Sequence, residues 1–279
     1  AKLHRARSQR VAPGRDDKIL TSWNALIIRG LAISARVLNS SSLADAAAGS
    51  LDFIRAQLTV DGRLLATNRS GQSRLNAYLD DHAYLLDAVL ELLQTRFSTA
   101  HLDYAIWLAD CLLAHFEDRD TGGFWFTSHD HEPLLHRPKP MADDAMPSGN
   151  GIAAFALARL GWLLGELRYL DAAERALRAG WQGMQDFPHG HCSLLEALDE
   201  YLQPPEIIII RGADEEAAQW AGTVAAAYNP HRMIFNIPND AVGLPEALSA
   251  KSGNGRTTAY VCRGMSCGPM ITDLKALLG

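Results

Sequence analysis

"YLDDHAYLLDAVLELLQTRF", residues 78–97, and "TAHLDYAIWLADCLLAHFED", residues 99–118, decide the fold, because apolar residues recur in both at the spacing of an α-helix. The two segments follow each other with one residue between them, which predicts a helical hairpin. The first is apolar on most sides, whereas the second keeps a polar face. This difference predicts that the first helix lines an inner wall and that the second forms an outer wall.

Two similar hairpins flank this one, at about residues 16–58 and 146–187. Pairs of aspartates open or precede the first helix of each hairpin, at residues 16–17, 80–81 and 143–144, a spacing of 64 and then 63 residues. That period is longer than those of the common solenoid repeats, and it favours a ring of helical hairpins. "HCSLLEALDEYL", residues 191–202, is a seventh helix without an outer partner. The loops at residues 61–71 and 121–135 predict short β-hairpins.

The pattern changes after residue 203. Strand-like runs at residues 206–210, 231–237 and 257–262 alternate with helical segments at residues 214–228 and 273–278. A strand, helix and strand in succession predict a parallel strand pair. The predicted fold class is therefore mainly α: a partial (α/α) six-hairpin toroid of about seven helices, residues 1–203, followed by a small α/β subdomain, residues 204–279.

Composition excludes several function classes. The chain of 279 residues is 48% hydrophobic and carries a formal net charge of −6, which argues against a nucleic-acid partner. No stretch approaches the roughly 20 apolar residues of a membrane span. Four scattered cysteines do not form a disulfide framework, so reduced thiols and a cytoplasmic location are expected. Neither a Walker nor a G-x-G-x-x-G motif is present, and no cofactor is predicted.

Four separated segments, at residues 15–32, 78–92, 122–160 and 259–277, together carry a family resemblance. They read "RDDKILTSWNALIIRGLA", "YLDDHAYLLDAVLEL", "GGFWFTSHDHEPLLHRPKPMADDAMPSGNGIAAFALARL" and "AYVCRGMSCGPMITDLKAL". In order, they resemble the C-terminal half of the thioredoxin-domain-containing proteins related to spermatogenesis-associated protein 20. The resemblance implies an N-terminal thioredoxin-like domain and a six-hairpin toroid related to N-acylglucosamine 2-epimerases and six-hairpin glycosidases. This chain has no thioredoxin C-x-x-C motif and about seven of twelve toroid helices, so we expect a fragment or a shortened relative.

The resemblance to sugar-active toroids implies a site built at the N-terminal ends of the inner helices. Asp17 and Asp81 are the predicted acid/base pair, since glycoside hydrolysis uses two carboxyl groups. His82 is a further candidate, because histidines transfer protons in the related epimerases and an unperturbed histidine titrates near neutral pH. The alternative for each aspartate is helix capping, and for His82 a structural contact.

The remaining candidates near these helix ends, here called the rim, are predicted to bind substrate. Amides and hydroxyls form hydrogen bonds with sugar hydroxyls, and indole rings stack on sugar rings. They are Asp16, Lys18, Trp23, Asn24, Asp80, Tyr84, Trp125, Asp144, Ser148 and Asn150. Core packing and helix-start contacts are the alternatives for these residues. The histidines at residues 129, 131, 136, 189 and 191 lack the paired spacing of a zinc motif, so no metal is predicted.

Cys262 and Cys267 flank four residues in "CRGMSC" and are redox candidates, with inert packing thiols as the alternative. Arg263 between them would favour a thiolate. Exchange with the implied thioredoxin-like domain is the corresponding functional hypothesis.

Two function classes stay open. The first is a carbohydrate-active or carbohydrate-binding toroid, glycosidase-like or epimerase-like, that uses rim Asp and His residues. The second is a non-catalytic scaffold that docks a thioredoxin-like domain, with a redox role at Cys262 and Cys267. Half a toroid leaves an apolar inner wall open, for which the N-terminal half of the same protein and a second copy of the chain are candidate partners.

Overall fold

Three helical hairpins and a further inner helix, which has no outer partner within the described residues, form the larger part of the fold. The computed structural model describes residues 1–132, 134–253 and 255–278. After the short helix α1, Lys2–Ser8, the inner helices are α2, Thr21–Leu38; α4, Leu79–Thr95; α6, Gly149–Leu164; and α8, Cys192–Leu202. The outer helices are α3, Ser41–Phe53; α5, Thr99–His115; and α7, Leu167–Asp186. The inner helices lie side by side in chain order. The predicted arrangement of hairpins is confirmed.

The inner helices differ in how they are covered. Helices α4 and α6 are buried along nearly their whole length, as predicted. In contrast, α2 exposes Trp23, Ile27, Val37 and Leu38 on one face, each by 59% or more. The sequence predicts an apolar inner helix here too, but α2 is the first in the row and contacts α4 as its single inner neighbour within the described chain. One face of α2 is therefore open.

A chain of ion pairs connects the inner helices. Two pairs join α2 to α4: Arg29–Asp87 at 2.6 Å and Arg36–Glu91 at 2.7 Å. Arg159 of α6 then pairs with Glu91 of α4 at 3.0 Å and with Glu200 of α8 at 2.6 Å. Burial alone would raise the pKa of Glu91, but the guanidinium groups of Arg36 and Arg159 outweigh it and hold that pKa below its ordinary value. The inner wall is held together by charge as well as by apolar packing.

Short strands lie at the N-terminal ends of α2 and α4. They are β1, Ile19–Leu20; β2, Thr59–Val60; β3, Arg63–Arg69; and β4, Gln72–Asn76, and a π-helical turn over Ile54–Leu58 precedes β2. Strand β3 pairs antiparallel with each of the other three. The β-hairpin predicted at residues 61–71 is confirmed.

The prediction of a second β-hairpin at residues 121–135 is wrong: no strand forms over residues 121–132 and 134–135, which are the described part of this segment. One isolated bridge, Glu117 to Phe124, is the extent of strand pairing there. The Asn150 side chain accepts from the Phe124 N–H at 2.7 Å and donates to the Phe124 carbonyl at 2.9 Å. An amide side chain therefore takes the backbone groups of Phe124 that a partner strand would use.

A small α/β unit completes the described chain. Its elements are β5, Glu206–Arg211; α9, Asp214–Ala225; β6, Arg232–Asn236; α10, Glu246–Ser249; β7, Thr258–Arg263; β8, Ser266–Cys267; and α11, Leu274–Leu278. The strand order is β6-β5-β7-β8, with β5 and β6 parallel, as predicted, and β7 antiparallel to β5. Ile207 and Ile209 pack with the helical core, whereas Ile208 and Ile210 pack with Trp220 of α9.

This unit lies at the C-terminal ends of the inner helices. The Ile234 N–H donates to Gln94 Oε1 near the end of α4 at 3.3 Å, and Arg159 donates to the Pro230 carbonyl at 3.2 Å. The opposite ends of the inner helices, their N-termini, stay available for a site and are called the rim below. Among the described helices, none combines the length and the apolar character that crossing a bilayer would take.

Candidate functional site

A pocket of about 310 Å³ lies at the rim, where α2 and α4 begin. Its polar lining includes Lys18, Ser22, Thr67, Asp80 and Asp81. The rings of two aromatic residues also line it: Tyr78 and Phe126, which stack with their centroids 4.9 Å apart. This rim pocket combines an aromatic wall with carboxylate, hydroxyl and ammonium groups.

Backbone hydrogen bonds fix the walls of the rim pocket. The Leu79 N–H donates to the Phe126 carbonyl at 2.9 Å, which joins the start of α4 to the loop between α5 and α6. Leu20 of β1 and Thr67 of β3 are register partners, so the strand layer closes the pocket from the other side. The pocket is thus held between ordered elements.

Asp81 caps helices. Its Oδ2 accepts from the Tyr78 N–H at 2.9 Å in a capping box, and its Oδ1 accepts from the Ser22 N–H at 2.8 Å. Burial raises the pKa of Asp81 to about 6, although hydrogen bonds from Tyr78 and Ser22 act in the opposite direction. Both oxygens of the predicted catalytic carboxylate are committed to backbone groups, as the capping alternative requires.

Asp80, the other carboxyl group of this pair, accepts no such backbone hydrogen bond from the described part of the chain. Its Oδ1 has no hydrogen-bond partner among the residues that the structure describes. Burial raises the pKa of Asp80 to about 6. A Cβ on Gly149 would lie 2.2 Å from Asp80 Oδ1, so glycine allows the start of α6 to approach this carboxyl group. Burial thus raises the pKa of both rim-pocket carboxyl groups to about 6, and Asp80 differs from Asp81 in having an oxygen that accepts no hydrogen bond from the described residues.

His82 and Tyr84 point away from the rim pocket. The His82 ring is 5% exposed, its Nδ1 donates to the Tyr78 carbonyl at 3.0 Å, and it packs against Phe116. Burial lowers the pKa of His82 to about 4, so the ring is neutral at pH 7. Tyr84 is buried and donates to the Pro147 carbonyl. Both residues make structural contacts.

The acidic pair before α2 lies on the surface. Asp17 pairs with Arg69 at 2.7 Å, and Asp16 pairs with Lys18 at 3.3 Å. Of these residues, Lys18 lines the rim pocket and Asp17 does not. The structure therefore does not bring the predicted acid/base pair, Asp17 and Asp81, into one pocket.

The predicted binding residues at the start of α6 tie loops to helices. Asn150 is fully buried and also donates to the Pro140 carbonyl at 2.8 Å, whereas Ser148 is the N-cap of α6. Asp143 accepts from the Ser148 N–H at 2.8 Å and the Ser193 N–H at 2.9 Å, so it joins α6 to α8. Asp144 is exposed.

The predicted stacking residues lie elsewhere. Trp23 is on the open face of α2, and the neighbouring Asn24 donates to the Leu20 carbonyl at 2.8 Å. The cationic groups of Arg137 and Lys139 lie over the Trp125 ring, 5.2 and 4.6 Å from its centroid. Neither indole ring lines the rim pocket.

Of the residues that line the rim pocket, sequence reasoning predicted Lys18, Asp80 and Asp81 as site residues, and it missed the hydroxyl of Thr67 and the stacked rings of Tyr78 and Phe126. Tyr78 immediately precedes the helix with the double aspartate, and Phe126 is two residues after Phe124 in the aromatic loop. Those positions were visible in the sequence, but their contact depends on a loop without regular structure. Among the described residues, no group of three or more His, Cys, Asp or Glu side chains is arranged to hold a metal ion.

Cys262 and Cys267 are joined in a disulfide, whereas Cys111 and Cys192 are thiols. The two joined cysteines are register partners in β7 and β8. The general expectation of reduced thiols does not hold for this pair, because the hairpin places them side by side.

Comparison with known proteins supports the predicted relationship. No protein-family model matches the chain. Spermatogenesis-associated protein 20 is 27% identical in Homo sapiens and 26% identical in Mus musculus, each over 98% of this chain. The predicted resemblance is confirmed. The chain spans 37% of the length of these two relatives.

A likeness to solved structures shows the fold. The GH76 alpha-mannanase of Bacteroides thetaiotaomicron is 13% identical and superposes with a TM-score of 0.52, over 77% of this chain and 58% of the mannanase. Cellobiose 2-epimerase from Bacillus thermoamylovorans, 12% identical, covers 60% of this chain and 45% of its own, with a TM-score of 0.49. The mannanase match confirms the (α/α) toroid fold class.

Proposed function

We propose that this chain binds a carbohydrate in the rim pocket and that Asp80 exchanges a proton with the bound sugar. The observation that carries the proposal is the Asp80 carboxyl group. Asp80 lines the pocket, its Oδ1 is buried beside Gly149 without a hydrogen-bond partner among the described residues, and its pKa is raised. A buried carboxyl group left unpaired costs stability, so such groups are typical of functional sites.

The other walls suit a sugar. The stacked rings of Tyr78 and Phe126 offer apolar surface to a sugar ring, and Thr67 and Lys18 offer polar groups to its hydroxyls. The volume of about 310 Å³ lies at the lower end of the range for small-molecule sites. We therefore propose a monosaccharide or one end of a short oligosaccharide as the ligand. The similar fold of a mannanase supports this substrate class.

The chemistry we favour is epimerase-like proton transfer at the carbon beside a carbonyl. Glycosidic hydrolysis would need two carboxyl groups about 5 to 9.5 Å apart, one of them as acid. In the rim pocket, the second carboxyl group is Asp81, whose two oxygens accept backbone hydrogen bonds. One free acid fits proton transfer better than a two-carboxylate mechanism.

The first experiment measures binding of neutral monosaccharides and disaccharides by saturation-transfer NMR, followed by calorimetry. We expect Asp80→Asn to weaken binding about tenfold or more, because it removes a charge-assisted hydrogen bond. Asp144→Asn is the matched control, since it removes an exposed carboxylate from the same rim. Equal binding by the wild type and D80N would contradict the role of Asp80.

A second experiment separates the reaction classes. Incubation in D₂O should introduce deuterium beside the carbonyl carbon of a bound reducing sugar, and D80N should abolish that exchange while D144N retains it. Release of new reducing ends without deuterium exchange would instead show hydrolysis and contradict the epimerase-like proposal.

A second candidate function is an interaction domain, which the open face of α2 favours. We propose that helical hairpins from the N-terminal half of the same protein cover this face. The relatives are longer than this chain, and the mannanase toroid has further structure beyond its matched 58%.

Addition of a recombinant segment from that half should give a 1:1 complex in light scattering, which Ile27→Glu on the open face should abolish. A homodimer of this chain that I27E dissociates would identify a second copy as the partner instead.

A further inference from the structure

The disulfide between Cys262 and Cys267 lies at an exposed hairpin in the C-terminal unit. It joins register partners separated by residues 263–266. A bond across so short a loop restricts the unfolded chain less than one between distant residues, so stabilisation explains it poorly. Cys262 is 6% exposed, whereas Cys267 is open to solvent. The two sulfur atoms therefore belong to side chains of different accessibility.

A cavity of about 110 Å³ lies against this disulfide, between the end of α6 and the sheet, and is called the sulfur cavity below. Lys251 and Trp162 line it together with both cysteines. Burial lowers the pKa of Lys251, whose Nζ donates to the Ala247 carbonyl. Trp162 Nε1 is buried without a hydrogen-bond acceptor among the described residues. A lysine and an indole whose N–H has no acceptor among the described residues thus line the sulfur cavity.

Arg263, which the sequence suggested as the thiolate-stabilising group, is placed differently. It follows Cys262 in β7, so its side chain is on the other face of the strand. It is 71% exposed and lies 3.7 Å from Glu206. Lys251 is the cationic residue that lines the sulfur cavity together with both cysteines.

We propose that Cys262–Cys267 is a thiol–disulfide exchange site for a protein that carries a vicinal dithiol, with Cys267 as the sulfur attacked. The exposed apolar residues Met265 and Met270, beside Cys267, offer contact surface to such a partner. This site is separate from the proposed sugar function, because it lies at the end of α6 opposite the rim. Loss of one function would leave the other testable.

The proposed reaction consists of two successive thiol–disulfide exchanges. A thiolate of the partner forms a bond to Cys267 Sγ, the intramolecular S–S bond breaks, and its electron pair remains on Cys262 Sγ. The Lys251 ammonium group stabilises this thiolate, which then takes a proton from solvent. The second partner thiol attacks the partner sulfur of the mixed disulfide and releases Cys267. The partner dithiol is oxidised to a disulfide, and the two cysteines are reduced.

The first test uses the full chain with Cys192→Ser, because Cys192 is an exposed thiol that would compete for reagent. The chain is purified without reductant, treated with glutathione, quenched with iodoacetamide and mapped by peptide mass spectrometry. We expect a glutathione adduct on Cys267 and an alkyl group on Cys262. An adduct on Cys262, two free thiols before treatment, or no reaction in the folded chain would each overturn the proposal.

The second test measures the rate constant for reduction by dithiothreitol. Lys251→Met should slow it by about fivefold or more, because the leaving thiolate loses its cation, whereas Lys251→Arg should stay within about twofold. Melting temperatures identify any variant that has lost its fold. Equal rates for K251M and the wild type would overturn the proposed stabilisation of the Cys262 thiolate by Lys251.

Discussion

Asp81 Oδ1 accepts a hydrogen bond from the Ser22 backbone N–H at 2.8 Å and thereby ties the first turn of α2 to the first turn of α4. Asp143 makes the equivalent link between α6 and α8, since it accepts from the Ser148 and Ser193 N–H groups. The recurring double aspartates therefore have a structural explanation. In two of the three pairs, one member joins the N-termini of neighbouring inner helices.

The cap at Asp81 should be measurable as stability. Asp81→Ala should lower the free energy of unfolding by about 1–2 kcal/mol, because two backbone N–H groups lose their acceptor. Urea denaturation followed by circular dichroism measures this change. Asp144→Ala, an exposed acid on the same rim, should change it by less than about 0.5 kcal/mol. Equal effects of the two variants would contradict the capping role.

Asp80 should make stability depend on pH. Its folded pKa of about 6 lies above the value of about 3.9 in an unfolded chain. The folded state binds the Asp80 proton more tightly than the unfolded state does. The stability that this proton contributes to folding is therefore fully present below pH 4 and is lost as the pH rises through 6.

Asp80→Asn should therefore equal the wild type in stability near pH 4 and exceed it by about 1–2 kcal/mol at pH 8. This figure is below what two pKa units would give, because solvent reaches part of the carboxylate. Thermal denaturation at several pH values tests it, with D144N as a control that should follow the wild type. A D80N variant less stable than the wild type at pH 8 would show a structural role.

Arg159 is the central cation of the buried ion pairs. Arg159→Leu should cost about 3–5 kcal/mol, because it leaves Glu91 and Glu200 buried without their shared partner. Arg178→Leu is the matched control, since Arg178 forms an exposed pair with Glu174 within α7 and its loss should cost less than about 1 kcal/mol. Similar losses for both variants would contradict a special role for the buried network.

Two adjacent isoleucines test the open face of α2. Ile28 is fully buried and Ile27 is 62% exposed. Ile28→Ala should cost about 2–4 kcal/mol, whereas Ile27→Ala should stay within about 0.5 kcal/mol in the isolated chain. A large loss for I27A in a chain shown to be monomeric would mean that this face is covered within the chain itself.

Most of the fold follows from patterns that the sequence carries locally. Three local patterns each predict the element that forms: the helical period of residues 78–97 and 99–118, the Gly-containing turn before β4, and the β-branched run at residues 207–210. The aromatic loop after α5 could not be predicted in the same way, because the side chain of Asn150, more than 20 residues away, determines its backbone pairing.

The sequence predicted the residues of the candidate site less accurately than it predicted the fold. The pattern located the rim and the pair Asp80 and Asp81, but it could not say which carboxyl group is free. That difference depends on the Ser22 N–H, a long-range contact, and on capping geometry at Tyr78. Likewise, Asp17 resembled a repeat equivalent of Asp81, yet Arg69 from β3 holds it at the surface.

Strand β5 has consequences for how the chain folds. Its successive isoleucines alternate between the helical core and the layer beneath α9. The change of pattern at residue 203 thus separates kinds of secondary structure but does not separate two hydrophobic interiors. The C-terminal unit covers the C-terminal ends of α4 and α6. Removing this unit would expose those helix ends to water, so the C-terminal unit and the helical hairpins should unfold together in one cooperative transition.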